Sequence, residues 1–76
     1  MKVFVIKETL LEDGYLALNK VTVCRTQKVA KKVFDQIVSE CDFEGWDITQ
    51  SDTEYSASDE DHEYNVYILS TSILNK

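Results

Sequence analysis

A chain of 76 residues, 43% hydrophobic and with a net charge of −6, has room for a single domain, 1–76, with one modest core; it is too apolar to be a disordered tail. No apolar run nears the roughly 20 residues of a membrane span. Residues 1–34 hold seven Lys or Arg against three Asp or Glu, a net of +4, whereas residues 35–76 hold one against eleven, a net of −10. A field of that sign repels nucleic acid and anionic membrane and attracts basic surfaces. The expected partner is therefore a protein with a basic surface, with no direct nucleic acid and no membrane.

Val3-Phe4-Val5-Ile6 opens a strand of β-branched and aromatic residues. A charge follows at once and no small-residue cleavage site does, so the segment does not read as a signal peptide. Asp13-Gly14 predicts a tight hairpin turn, because both residues tolerate positive φ. A turn centred there sets Phe4 against Val23, Ile6 against Val21 and Val5 against Thr22. It also sets Lys7 against Lys20, a like-charge conflict that a bulge near Asn19-Lys20 or a looser loop would relieve.

Thr26 is placed to cap a helix over about 27–41. There Val29, Val33, Ile37 and Cys41 recur at every fourth position, with Ala30, Phe34 and Val38 as the adjacent row. Lys28, Lys31 and Lys32 fall in its first turns, where the helix dipole disfavours cations. Either carboxylates of the same chain or a ligand would offset that cost. Trp46-Asp47-Ile48-Thr49 begins a third strand, continued as an exposed polar stretch from Gln50 to Ser58. Ser58-Asp59-Glu60-Asp61 is a turn, and His62 to Leu69 a fourth strand that could run to Ile73.

These elements predict an α+β fold, ββαββ, with a four-stranded, mostly antiparallel sheet and one helix packed on one face. The expected core is Phe4, Ile6, Val21, Val23, Val29, Val33, Phe34, Ile37, Trp46, Ile48, Val66 and Ile68. Cys24 lies in a strand pattern and Cys41 on the apolar side of the helix, which points to two free thiols and a cytoplasmic location.

Catalytic signatures are missing. The single histidine, His62, stands in Asp59-Glu60-Asp61-His62-Glu63 with no Ser or Cys within that stretch, and the glycines, Gly14 and Gly45, form no phosphate-binding loop. Oxygen-bearing side chains at Asp52, Glu54, Ser56, Ser58, Glu60 and Glu63 parallel the spacing of an EF-hand calcium loop. Ala57 stands where that loop needs glycine, and Asp59 where it needs an apolar residue, so a solvated acidic tip is the better reading. The expectation is a protein that is no enzyme and has no cofactor and no metal.

The acids nevertheless suit binding. Residues two apart on a strand share a face about 6.6 Å from each other. Asp52 and Glu54, or Asp59, Asp61 and Glu63, can present a row of carboxylates, with Tyr55, Tyr64 and Tyr67 interleaved as interface anchors. Asp47 and Glu60 complete the candidate set. The alternative is a small interaction or scaffold domain, with homodimer formation through a sheet edge, in which the acids serve solubility alone.

The order Lys2-Val3-Phe4-Val5-Ile6, a hairpin, Thr26-Gln27-Lys28-Val29-Ala30 opening an amphipathic helix, and then an acidic hairpin resembles the layout of small orphan proteins of phages and bacterial mobile elements. Some acidic proteins of that kind inhibit host defence, including anti-CRISPR proteins and anti-restriction proteins that act as DNA mimics. The resemblance implies a non-enzymatic inhibitor and no catalytic residues.

Overall fold

The computed structural model describes residues 2–72, residue 72 by its backbone alone. Its elements are β1 (Lys2–Glu12), β2 (Tyr15–Cys24), α1 (Gln27–Glu40), β3 (Asp47–Gln50), β4 (Glu54–Ser58) and β5 (His62–Ser72). The five strands form one antiparallel sheet in the order β2-β1-β5-β4-β3, with α1 on one face. The α+β class and the single helix are as expected, but the sheet has five strands rather than four. Ile73, expected near the end of the last strand, lies outside the described residues.

The extra strand arises where the polar stretch reverses instead of running on. At Ser51–Thr53 the Ser51 amide donates to the Glu54 carbonyl (2.8 Å) and the Thr53 amide to Ser51 Oγ (3.4 Å). Short polar side chains of this kind offer the backbone local partners that compete with a continuing ladder. Ile48 and Gln50 then pair back against Ala57 and Tyr55.

The first hairpin turns where predicted, with Asp13 at φ 52° and Gly14 at φ 82°. Its register differs. Leu10 opposes Leu18 but Leu11 opposes Leu16, leaving Ala17 as a bulge. That one extra residue moves Lys20 from Lys7 to Glu8 and resolves the like-charge conflict. It also turns Val21 and Val23 onto the face away from the helix, opposite Lys7 and Val5, where they are 55% and 62% exposed. Val29 and Ile48, also expected in the core, are exposed as well.

The actual core is Ile6, Cys24, Ala30, Phe34, Tyr55, Ala57, Tyr64 and Val66, flanked by Phe4, Leu10, Val33, Ile37, Trp46 and Ile68 among others. Thr26 caps α1 by accepting from the Val29 amide (3.2 Å), and Phe34 and Ala30 carry the fully buried stripe. Cys24 and Cys41 are both free thiols. Among the described residues no helix is long and apolar enough to cross a membrane.

Candidate functional site

Antiparallel pairing brings one end of every strand in the second half to the same end of the sheet. The start of β5, the end of β4 and the start of β3 lie side by side, since Ser58 opposes both Glu63 and Asp47. Asp47 and Glu63 thus share a row on the face away from the helix, two strand spacings or about 10 Å apart. The Asp59–Asp61 turn closes that end. The tip of the first hairpin joins it, because the Asp13 amide donates to the Asp61 carbonyl (2.7 Å) and Glu12 opposes His62. The loop after α1 packs there too, with Phe43 against Tyr64 (ring centroids 5.0 Å) and Trp46 stacked on His62 (5.4 Å).

Of the expected surface residues, Asp47, Asp59, Glu60, Asp61 and Glu63 are therefore brought together. Glu12 and Asp13 belong with them and were missed, since they sit in the basic half of the chain and only the β1–β5 pairing carries them across. Asp52 and Glu54 do not join the group. Glu54 starts β4, roughly 13 Å from Ser58 at its other end, opposite Tyr67, and Asp52 precedes it in the turn.

Two of the three tyrosines need correction as exposed anchors. Tyr55 and Tyr64 alternate with outward-facing residues and pack under the helix side of the sheet, each 5% exposed. Tyr67 lies on the other face, half-buried between Lys7 and Glu54. Tyrosines at period two on a strand with Ala57 and Val66 are core residues, and that alternation was the signal available in the chain.

None of the carboxylates at this end pairs with a Lys or Arg among the described residues. Among the described residues the ion pairs are Lys31–Asp35 and His62–Asp59, both 2.9 Å. The helix lysines do not neutralise the acidic end. Lys31 instead reaches the Asp52 carbonyl (2.8 Å) as well as the Asp35 carboxylate, both far from the turn. Asp59 is the carboxylate most committed to structure. It accepts from the Asp61 amide (2.9 Å), the His62 amide (2.7 Å) and the His62 ring Nδ1 (2.9 Å). Partial desolvation pushes its pKa up, but those hydrogen bonds together outweigh it and hold the carboxyl below the usual aspartate value. The His62 pKa is raised, first by its hydrogen bond to Asp59 and then by the charges of Asp59, Glu12 and Asp13.

Between the two turns lies an open cleft of about 420 Å³, lined by Leu11, Gly14, Ser58, Asp59, Glu60, Asp61, His62 and Glu63. Leu11 beside several carboxylates suits the stem and head of a lysine or arginine side chain. The EF-hand-like spacing does not make an ion cage, because β4 runs straight through it and pairs on both sides.

A second polar cluster lies beneath the helix. The Tyr64 hydroxyl donates to Glu8 Oε2 (2.7 Å), and Cys41 Sγ donates to the Ile37 carbonyl (3.2 Å). Burial pushes the Tyr64 hydroxyl far up, with the Glu8 bond adding to it, and burial likewise pushes the Cys41 thiol up. Both groups stay protonated at neutral pH, so neither is poised as a nucleophile. In comparisons with protein-family models, curated proteins and solved structures, the chain matches none of them.

Proposed function

We propose that this protein is a non-enzymatic binding protein whose acidic end docks on a basic, nucleic-acid-binding surface of a partner protein and blocks it there, as a DNA mimic does. The observation that carries the reading is the gathering of Glu12, Asp13, Asp47, Glu60, Asp61 and Glu63 at one end of the sheet, with no ion pair to Lys or Arg among the described residues. Carboxylates that served solubility alone would have no cause to be drawn from three separate stretches of chain to a single end. A basic groove that binds phosphates meets such a surface with complementary potential, and its lysine or arginine side chains fit the cleft between the two turns.

The test is a combined variant, Asp47→Asn, Glu60→Gln, Asp61→Asn and Glu63→Gln, in which every substituted side chain is exposed. Proteins captured from a cell lysate by the wild type should be nucleic-acid-binding proteins that duplex DNA displaces. Their affinity should fall steeply between about 50 and about 300 mM salt. The variant should fold normally and bind at least about 100-fold more weakly. Capture that ignores salt, DNA and the four substitutions alike would discard this function.

A further inference from the structure

We infer that β2 is a self-association edge, at which two copies pair antiparallel about a two-fold axis to make one ten-stranded sheet. The two edges of the sheet are β2 and β3. At β2 the ten residues Tyr15–Cys24 include one charged side chain, Lys20, and expose Tyr15 (79%), Leu16 (57%), Leu18 (37%), Val21 (55%) and Val23 (62%). A long apolar edge with its outer backbone groups unpaired is a template for another strand. Proteins that remain monomeric blunt such an edge with charge, proline or brevity. Here the bulge at Ala17 interrupts one end, and the stretch Leu18–Cys24 stays regular.

The occupant is a second copy because charge and register both suit it. The acids gather at the end of the sheet where β2 begins, and antiparallel pairing about Val21 sets the two hairpin tips at opposite ends of the shared edge, so two chains of net charge −6 can meet there with their acidic surfaces apart. The regular stretch is centred on Val21. A two-fold axis there sets Val21 against its counterpart, Asn19 against Val23, and Lys20 against Thr22, which keeps the two lysines from facing each other. The site is isologous and closes at two copies. It is independent of the docking surface, and its salt dependence has the opposite sign: screening the net charge tightens the dimer, whereas it weakens docking.

Sedimentation equilibrium of the full chain should give twice the 8.8 kDa chain mass, with the dimer fraction rising as salt is added. Val21→Lys places two ammonium groups directly opposite each other and should weaken the dimer by at least about 100-fold, with an unchanged circular dichroism spectrum. Val21→Cys should form an intermolecular disulfide under mild oxidation, since paired Cα atoms of about 4.5–5.5 Å fall within bonding range. Leu69→Cys, on the same sheet face but two strands inward, should not. A wild type that sediments at 8.8 kDa up to about 1 mM, a series of species larger than a dimer, or cross-linking through residue 69 in place of residue 21 would each overturn the inference.

Discussion

The two edges of this sheet are managed in opposite ways. At β3 the edge is four residues long, lies next to tight polar turns and carries Asp47 at its start. At β2 it is ten residues long with one lysine. Brevity and charge together make β3 a poor template for pairing, while β2 keeps length and apolar side chains on both faces. The contrast separates two kinds of contact in space. Charge-driven docking belongs to the end where the first hairpin tip meets β3, β4 and β5, and strand pairing belongs to the regular stretch Leu18–Cys24 along the β2 edge. A small protein can thus hold a strongly acidic surface and a self-complementary one without either neutralising the other.

The comparison is broken most severely by removing what holds both edges in one sheet. Phe34 is fully buried beneath α1 and touches the cluster contributed by β1, β2, β4 and β5. Phe34→Ala should cost about 3–5 kcal/mol. A chain of this length has roughly 4–11 kcal/mol in all, so the variant should melt tens of degrees lower or fail to fold, with both binding properties lost together. Retention of a wild-type melting temperature would mean that α1 does not anchor the sheet. Tyr64→Phe is the intermediate case. It strips the half-buried Glu8 carboxylate of its bond from the tyrosine hydroxyl, with an expected loss of about 1–2 kcal/mol in chemical denaturation. A neutral result would show that water replaces the hydroxyl at no cost.

Substitution at the edges themselves should separate them. Val21→Lys on β2 and Ile48→Lys on β3 replace exposed side chains, so each should shift monomer stability by no more than about 0.5 kcal/mol. Their effects on concentration dependence should differ. The wild-type melting temperature should rise with protein concentration, as expected when folding is linked to dimerisation. Ile48→Lys should keep that rise and Val21→Lys should lose it. The same behaviour in both variants would erase the distinction between the edges.

Much of this architecture could be anticipated from local chemistry, and what could not was non-local. Thr26, the i+4 apolar rows of α1 and Asp13-Gly14 act within a few residues, and each is found where its chemistry places it, Val29 excepted. The bulge at Ala17 has no local mark, since alanine has no special turn preference. Its trace was indirect, in the Lys7–Lys20 conflict of an unbulged register. A shift of one residue then exchanged the faces of Val21 and Val23, because side chains alternate with period two. The reversal at Ser51–Thr53 was hidden by polarity, which an exposed strand and a turn share. The acidic end was only partly readable for a related reason. Asp47 and Asp59–Glu63 are close in the chain, but Glu12 and Asp13 reach them only through β1–β5 pairing.

The finest distinction between the two regions is their response to pH, and it turns on His62. The ring is held by Asp59 and faces the charges of Glu12 and Asp13, so its folded pKa lies above the ordinary 6.5. A raised folded pKa contributes stability that is fully present below 6.5 and is lost as pH rises through the folded value. Asp59 has the opposite sign: its folded pKa lies below 3.8, so its contribution is present above 3.8 and is lost as pH falls through the folded value. An NMR titration of the His62 ring should give a midpoint above 6.5 that Asp59→Asn lowers. The stability advantage of the wild type over His62→Gln should shrink as pH is raised from about 6 to about 8. The acidic end loses positive charge at His62 over that interval, so docking on a basic partner should strengthen slightly. β2 carries no histidine or carboxylate, so the dimer should not respond. A midpoint at or below 6.5, or a dimer that follows the same pH curve as docking, would show that the two regions are not electrostatically separate.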